Sequence, residues 1–395
     1  MSNILVISKD IPYPPHRNGV CNSLYNFINC WKEIGHQVDV IYLSPQEKKS
    51  EDALSSILEV YSKAFDASGF SMMAYFGNSK ALKPRNAWII DSRKCSEIEA
   101  KKYDFLIWGS LATTVIYNKI QNFKGKQVLF AADSLSLYYE RNLKQTQNFM
   151  RKLYLHTQVI SSREFEKKAY ATINNVVFVS GVDTKYAIGK FKGNFVENRI
   201  GVNIPAEYIK SVDVSKKKEV IDIGFSGIMD YEPNANAVEY IISQIIPGLD
   251  SSGLVYKIHI IGKNPKAEWK DLECYKEGKL VITGFLDNIE SYISQMDIYI
   301  SPLFLGTGMK NKILQAMGLG VPIICSEVSA EGIEGLANDE NVIIASERAG
   351  EWIASIKELA EDSERRKVFS ELCKDVIRKN YTWKKSAKRM LEGWK

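Results

Sequence analysis

Residues 302–325 read PLFLGTGMKNKILQAMGLGVPIIC and join a strand end, a loop with two glycines and a helix start with two lysines. Gly306 and Gly308 can adopt backbone angles that other residues avoid, and the first N–H groups of a helix have no partner within it. Lys310 and Lys312 add positive charge to the positive end of that helix. This combination predicts an anion-binding loop that would suit a phosphate-bearing ligand.

The residues around this loop alternate between strand and helix patterns. Residues 297–301 and 321–325 are short apolar runs typical of buried strands, and residues 310–319 carry apolar side chains at helical spacing. This order is typical of a parallel α/β sheet. Strand–glycine–helix turns are common in such sheets and many bind nothing, so it is the two lysines that favour an anion.

The rest of the chain repeats the alternation in two series, which predicts two doubly wound sheets. The first series has strands at 3–8, 37–43, 104–109, 127–132 and 176–180 and a helix at 20–34. The segment 195–205 is expected to end the first sheet. The second series has strands at 220–225, 255–261, 280–283, 297–301, 321–325 and 341–345. The charged run 211–219 is predicted to be the interdomain linker, and helical insertions are expected at 45–86.

The composition is that of a globular protein. The chain has 395 residues, 45% hydrophobic and 25% charged, which indicates two or three domains and excludes a disordered or fibrous protein. No apolar run reaches the length of a membrane span, and Lys9 and Asp10 interrupt the apolar start, so we expect a cytoplasmic protein without a signal peptide. The six cysteines have no paired spacing and there are four histidines, which argues against a disulfide scaffold and a metal site.

The net charge of +5 is modest for this length and does not indicate nucleic acid. Basic clusters at residues 80–85 and 151–168 are compatible with an anionic surface, such as a peripheral contact with the inner membrane surface. The plainer interpretation of each cluster is a solvated helix face.

The stretch 302–325 resembles the C-terminal signature of glycosyltransferase family 4, the glycosyl transferases group 1 of the GT-B fold. The stretch is most similar to the exopolysaccharide and exosortase-linked sugar transferase subgroup, in which a Gly-x-Gly-x-Lys-Asn-Lys-x-Leu-Glu-Ala-Met run is followed by Gly-x-Pro. In this chain the run ends Leu314-Gln315-Ala316-Met317. The likeness covers most of the chain. It implies an α/β GT-B fold of two doubly wound Rossmann-like domains that face each other across a cleft. The acceptor domain would span residues 1–204, with helix 381–395 packed back on it, and the donor domain residues 205–380.

The resemblance implies a nucleotide-sugar donor held mainly by the second domain, with Phe285 stacked on the base or, alternatively, packed in the core. Lys312 would stabilise the departing phosphate. The implied donor contacts are Gly19, Gly227, Met229, Gly284, Phe285, Gly306, Thr307, Gly308, Met309, Lys310 and Gln315.

The chain departs from the family after the first strand of the donor domain. Many relatives have an arginine and a lysine there, whereas this chain has Ile228 or Met229 and Asn234. The positive charge is therefore expected from Lys310 and Lys312. The two lysines are two residues apart on a helix and point in different directions, so we expect one of them, Lys312, to reach the phosphates.

A second departure concerns the two glutamates of the family, which correspond to Thr307 and Gln315. Gln315 can still bond to ribose hydroxyls, although without a charge. Lys312 lies three residues before Gln315 and so on the same helix face. Without a glutamate at Thr307, we expect the backbone N–H groups of residues 306–310 to contact the sugar.

Acceptor contacts are implied for the loop at residues 12–19, which resembles the family loop after the first strand. His16, Arg17 and Asn18 would contact the acceptor, although a plain strand-to-helix turn fits equally well. Asp133, at the end of strand 127–132, is a second catalytic candidate near the acceptor hydroxyl or the cationic sugar. Its alternative role is the N-cap of the next helix.

The resemblance implies a metal-independent, hexosyltransferase-like reaction with retention, in bacterial surface-polysaccharide or glycoconjugate synthesis. The partners would be a nucleoside-diphosphate sugar and a glycan, lipid-linked or small-molecule acceptor, with no separate cofactor. Action of Asp133 as a base on the opposite face would give inversion instead. The alternatives are a nucleotide-sugar 2-epimerase, disfavoured by the four histidines, and a non-catalytic partner subunit. A nicotinamide dehydrogenase is disfavoured because no Gly-x-Gly-x-x-Gly follows the first strand.

Overall fold

The computed structural model describes residues 1–13, 18–42, 64–66, 102–120, 122–209, 218–306, 309–392 and 394. The chain divides into two compact units. The first comprises Met1–Gly201 together with Trp383–Lys395, and the second comprises Val202–Thr382. Most of the expected linker, residues 211–219, lies outside the described residues.

The first unit is built on a parallel sheet with the strand order β3-β2-β1-β4-β5-β6-β7. Its strands are β1 Asn3–Ser8, β2 Gln37–Tyr42, β3 Ala64–Asp66, β4 Phe105–Trp108, β5 Lys126–Ala132, β6 Asn175–Phe178 and β7 Asn194–Glu197. β1 and β4 are almost entirely buried apolar runs, as is typical of central strands covered on both faces. The order of the sheet reverses between β1 and β4, which is its topological switch point.

Side-chain caps determine where the main helices of this unit begin. Asn18, Ser134, Asn148 and Ser180 each accept a hydrogen bond from the backbone N–H three residues ahead. Among the described residues of this unit, the helices are Gly19–Glu33, Leu135–Gln145, Phe149–Thr172, Gly181–Lys190 and Trp383–Glu392, with a 3₁₀ helix at Leu111–Lys119.

The last helix, Trp383–Glu392, belongs to the first unit although the second unit precedes it in the chain. Trp31 donates from Nε1 to the carbonyl of Ala387 at 2.9 Å. The rings of Phe27 and Trp383 meet edge to face with centroids 5.5 Å apart. Asn198 donates to the carbonyl of Ser386 at 3.0 Å, so polar and aromatic contacts together hold the helix.

The second unit contains a parallel sheet with the order β10-β9-β8-β11-β12-β13. Its strands are β8 Ile221–Ser226, β9 Tyr256–Ile261, β10 Leu280–Gly284, β11 Ile298–Ser301, β12 Ile323–Cys325 and β13 Ile343–Ile344. Its α-helices are Glu232–Tyr240, Ile246–Ser251, Glu273–Lys276, Ile289–Ile293, Asn311–Leu319, Glu327–Ala330, Ala349–Glu361 and Ser363–Asn380, with a π-helical turn at Ile241–Ile245. Phe225, Ile258, Trp352 and Phe369 lie in the buried core between these elements.

Each strand predicted from the sequence corresponds to an observed strand, and the ends differ for local reasons. The strand predicted at 176–180 ends at Phe178 because Ser180 caps the next helix. The strand predicted at 341–345 is reduced to Ile343–Ile344, since the Asn341 side chain bonds to the backbone of Gly335 and Ala337 in a turn. Within the described ranges, no helix is long and apolar enough to cross a membrane.

Candidate functional site

The switch point of the second sheet lies between β8 and β11, because the order of the strands reverses there. In doubly wound sheets, ligands bind outside the carboxyl ends of the strands at this point. The loop after β8 starts at Gly227, and the loop after β11 runs to Lys310. The strand order therefore brings the two glycine-containing loops predicted from the sequence to one crevice.

Glycines allow a close approach between the loop after β8 and the end of β9. Gly262 has a φ of +138°, and a Cβ there would lie 1.9 Å from the carbonyl oxygen of Gly227. The backbone N–H of Gly227 donates to Ile261 O at 2.9 Å, and that of Met229 donates to Lys263 O at the same distance. The turn that begins at Gly227 is thus held by backbone contacts.

Lys312 reaches from its helix to this turn. Its Nζ lies 2.6 Å from Oδ1 of Asn234 and 4.3 Å from the centroid of the Phe225 ring. Asn234 is itself oriented, since its Nδ2 donates to the carbonyl of Ile228 at 2.9 Å. A Cβ on Gly227 would lie 3.0 Å from this ammonium, so the glycine leaves room for it.

The surroundings of Lys312 disfavour its positive charge. Burial lowers the pKa of the Lys312 ammonium to about 7, and the nearby charge of Lys310 acts in the same direction. An anion at this point would remove part of that penalty, because an opposite charge favours the protonated form. The geometry therefore offers an oriented ammonium that gains from binding an anion.

The loop after β11 places a second lysine near the same helix start. Gly306 has a φ of +123°, and a Cβ on it would lie 3.9 Å from Nζ of Lys310. Lys310 is the N-cap of helix Asn311–Leu319, and its side chain makes no capping hydrogen bond. Met309 is buried and anchors the end of the loop, whereas Thr307 and Gly308 lie outside the described residues. Two lysines thus accompany the positive end of this helix.

Gln315 lies on the same helix and contacts a carboxylate that the sequence analysis missed. Its Nε2 donates to Oε1 of Glu290 at 2.7 Å. Glu290 belongs to the first turn of helix Ile289–Ile293, which Asn288 caps through the N–H of Ser291. The capping pattern could have indicated the short helix, but no sequence signal pairs Glu290 with Gln315.

The remaining predicted donor residues of this unit differ in what they can offer. Phe285 follows Gly284, which has a φ of +69°. The side chain of Phe285 is 61% exposed, so Phe285 does not pack in the core. The side chain of Met229 is fully buried in the core cluster. A contact between Met229 and a ligand would therefore have to use its backbone.

Comparison with known protein families shows which kind of domain the second unit contains. Residues 221–362 match the family model described as Glycosyl transferases group 1. The second unit carries a glycosyl transferases group 1 domain. The family comprises sugar transferases, and the matched range contains both loops of the crevice.

A relative and two solved structures match the chain over nearly its whole length. An uncharacterized 44.6 kDa protein in the cps region of Klebsiella pneumoniae is 22% identical over 400 residues, which cover 95% of this chain and 100% of the relative. Anabaena HepE in complex with UDP has a TM-score of 0.70 and 11% identity, with 99% of each chain covered. A point mutant of S. aureus TarM in complex with fondaparinux, alpha-GlcNAc-glycerol and UDP has a TM-score of 0.68 and 10% identity, covering 100% of this chain and 99% of that one. These similarities show the GT-B fold, with two Rossmann-like domains.

The unit that accompanies the glycosyl transferases group 1 domain contains the other predicted residues. Asn18 accepts from the N–H of Cys21 at 2.9 Å and so caps the helix that begins at Gly19. Asn18 and Gly19 follow β1, which is one of the two strands at the switch point of the first sheet. His16 and Arg17 lie outside the described residues.

Asp133 is exposed and directly follows β5, after Ala132 with a φ of +63°. The N-cap of the next helix is Ser134, so the structure excludes the capping role considered for Asp133. Among the residues that the structure describes, no group of three or more His, Cys, Asp or Glu side chains could hold a metal ion.

A buried carboxylate supports the turn that carries Asp133. Glu166 accepts from the backbone N–H of Leu135 at 2.7 Å and that of Ser136 at 3.3 Å. The hydroxyl of Ser134 donates to the same carboxylate at 3.1 Å. Burial raises the pKa of Glu166 despite these hydrogen bonds. The sequence analysis missed this residue because it lies on a later helix, with no spacing that links it to the turn.

Proposed function

We propose that the chain transfers a sugar from a nucleoside-diphosphate sugar to an acceptor hydroxyl, with retention and without a metal ion. The glycosyl transferases group 1 domain would bind the donor, and the first unit would bind the acceptor. The observation that carries this proposal is the position of Lys312, whose ammonium is held by Asn234 and Phe225 in the crevice between β8 and β11.

A departing nucleoside diphosphate is the chemical group that this crevice suits. In the transfer, the bond between the anomeric carbon and the phosphate oxygen breaks, and the electron pair leaves with that oxygen. The charge that develops there would be stabilised by the Lys312 ammonium and by the N–H groups at the start of helix Asn311–Leu319. Such stabilisation of a leaving group is often the largest protein contribution to the rate.

Retention follows if the departing phosphate oxygen accepts the proton of the acceptor hydroxyl on the same face of the sugar. The new glycosidic bond then forms on the face from which the phosphate leaves. Asp133 is the candidate that would support the acceptor or the cationic sugar. Its action as a base on the opposite face would instead give inversion, so the configuration of the product tests its role.

The similar proteins support a choice of first ligand and biological role. HepE and TarM were solved in complexes with UDP, so UDP is the first nucleotide to test. The relative in the cps region supports a role in bacterial surface-polysaccharide or glycoconjugate synthesis, with a glycan, lipid-linked or small-molecule acceptor. None of these observations favours the 2-epimerase or the non-catalytic subunit.

The first experiment is a panel of nucleoside diphosphates in thermal unfolding of the full chain. A nucleotide at a hundred times its dissociation constant should stabilise the protein by about 2.7 kcal/mol. The stabilisation should be reduced in Lys312→Ala and preserved in Lys270→Ala, which changes an exposed lysine of the same unit. The proposal fails if no nucleoside diphosphate stabilises the parent protein.

A second experiment measures release of UDP from UDP-sugars, with and without candidate acceptors. Lys312→Ala should slow turnover by a factor on the order of a hundred or more, as for loss of one donor to a developing oxyanion. Turnover equal to that of Lys270→Ala would contradict the assigned role of Lys312.

A further inference from the structure

Two helices of the first unit, Leu135–Gln145 and Phe149–Thr172, follow one another and pack side by side. A connection of only three residues, 146–148, joins them. We refer to residues 144–154, where the two helices meet, as the hairpin tip. Asn148 caps the second helix by accepting from the N–H of Arg151, so the tip has a defined backbone.

The hairpin tip exposes several large apolar side chains at the start of the second helix. Phe149 is 76% exposed, Met150 70%, Leu153 56% and Tyr154 54%. Phe149 and Leu153 are four residues apart, as are Met150 and Tyr154, so the four side chains form adjacent pairs on the helix surface. They form one apolar strip, which differs from the single exposed apolar residues found on most surfaces.

This strip does not face the neighbouring helix. Leu155 and Val159, which are four residues apart on the other side of the helix, are the buried apolar residues of this part. The apolar side of the helix that packs in the protein is therefore distinct from the exposed strip. Ile160, 53% exposed, extends the exposed side two turns beyond Leu153.

The charged residues in the sequence segment that carries the strip, residues 141–163, are all basic. Lys144, Arg151 and Lys152 are exposed within the hairpin tip, and the sequence contains no aspartate or glutamate from residue 141 to residue 163. On a helical wheel, Arg151 and Lys152 lie at the two boundaries between the exposed strip and the buried side. Long basic side chains at such boundaries can reach phosphate groups while apolar neighbours enter a less polar layer.

We propose that the hairpin tip docks on an anionic lipid surface. Apolar side chains that project beside lysine and arginine, on a stretch of sequence with no acidic residue, are what an interfacial helix requires. The aromatic and aliphatic side chains would enter the boundary between headgroups and acyl chains, and the cations would contact lipid phosphates. The sequence analysis considered contact between the basic cluster at residues 151–168 and an anionic surface. The structure restricts this contact to the start of the helix, because Glu164 lies further along it and Glu166 is buried.

The test is sedimentation of the full chain with lipid vesicles, and it needs neither nucleotide nor acceptor. One set of vesicles is pure phosphatidylcholine and the other contains roughly one third phosphatidylglycerol, which supplies the anionic surface. The parent protein should bind the anionic vesicles, bind the neutral ones far more weakly, and dissociate as the salt concentration rises.

Two double variants separate the apolar and the charge contributions. The pair Phe149→Ser and Leu153→Ser should reduce the partition coefficient about tenfold or more, because two exposed apolar side chains can no longer be buried. The pair Arg151→Gln and Lys152→Gln should reduce binding to anionic vesicles and its salt dependence. Ile188→Ser is the matched control, since Ile188 is a 62% exposed apolar residue on helix Gly181–Lys190 of the same unit.

Thermal unfolding of each variant checks that the fold is retained. If the serine pair does not fold, the charge pair carries the test. Equal binding to neutral and anionic vesicles, no binding to either, or equal binding by the control and both pairs would overturn the proposal. A failure to bind vesicles would instead favour a protein partner for the strip, whatever the outcome of the nucleotide experiments.

Discussion

Gln315 and Glu290 are joined by a hydrogen bond of 2.7 Å from Nε2 of the amide to Oε1 of the carboxylate. The resemblance described for the sequence implies that Gln315 corresponds to a family glutamate that would contact the donor, and the glutamine side chain is neutral. Glu290 supplies a carboxylate at the same place from a different helix. The hydrogen bond fixes the orientation of the amide, and Glu290 places a carboxylate beside it.

We expect Glu290→Ala to weaken binding of UDP about tenfold, because Gln315 loses its charge-assisted hydrogen bond and becomes free to rotate. Isothermal titration calorimetry measures the effect. Glu273→Ala is a suitable control, since Glu273 is also an acidic residue in the first turn of a short helix of this unit. Equal affinity in the two variants would show that the Gln315 amide does not depend on Glu290.

A second prediction concerns protons taken up with the nucleotide. The pKa of Lys312 is about 7 in the ligand-free protein, so at pH 8 most of the side chain is neutral. A bound diphosphate raises this pKa, and the ligand itself is fully ionised at pH 8 because its last proton dissociates near pH 6. UDP binding at pH 8 should therefore take up close to one proton. The affinity should fall roughly tenfold per pH unit above the free pKa, until the pKa of the complex is reached.

Calorimetry in buffers of different ionisation enthalpy measures this uptake. Lys312→Met should abolish it, and Lys270→Met should not change it. The pH dependence of unfolding of the ligand-free protein independently checks that the pKa of Lys312 is lowered by folding. Lys312 has a lower pKa in the folded protein than in the unfolded chain, so the unfolded chain binds more protons between about pH 7 and 10.5. The contribution of Lys312 to the free energy of unfolding should thus increase with pH over this window.

The sequence predicted much of this fold because parallel strands buried on both faces are continuous apolar runs, such as Phe105–Trp108. It also predicted which loops matter, since glycines and lysines cluster after strand ends. It could not predict that Lys312 meets Asn234, which is 78 residues earlier in the chain. That contact depends on β8 and β11 being neighbours, and strand order is not encoded by local patterns.

Two other features of the structure could not be predicted from local sequence patterns, for similar reasons. The strand Ala64–Asp66 lies in a region that showed no clear alternation, and its three residues are too few to form a periodic signal. Glu166 was not recognised because a glutamate within a charged helix is normally exposed. Its burial results from the packing of helix Phe149–Thr172 against the helix start at Leu135, a tertiary contact.

A third prediction tests the close approach between Gly262 and the carbonyl oxygen of Gly227. Gly262→Ala should destabilise the protein by about 3 kcal/mol or more, because the new Cβ would lie 1.9 Å from the carbonyl oxygen of Gly227 at a φ of +138°. Gly253→Ala is the control, since Gly253 also has a positive φ, +75°, but no atom lies within 4 Å of its Cβ position. It should cost about 1 kcal/mol, from backbone strain alone. Urea unfolding measures both, and equal costs would contradict the steric argument.

The last prediction concerns the buried carboxylate of the first unit. Glu166→Ala should lower the free energy of unfolding by about 3 kcal/mol, because the buried Ser134 hydroxyl and the N–H group of buried Ser136 lose their acceptor, as does the N–H of Leu135. Glu164→Ala, an exposed position on the same helix, should change it by less than about 0.5 kcal/mol. If Asp133 acts on the acceptor, the loosened turn should also raise the KM for the acceptor while the affinity for UDP stays the same. A stability loss with unchanged acceptor kinetics would show that Glu166 supports the fold and that the turn carrying Asp133 does not need it for catalysis.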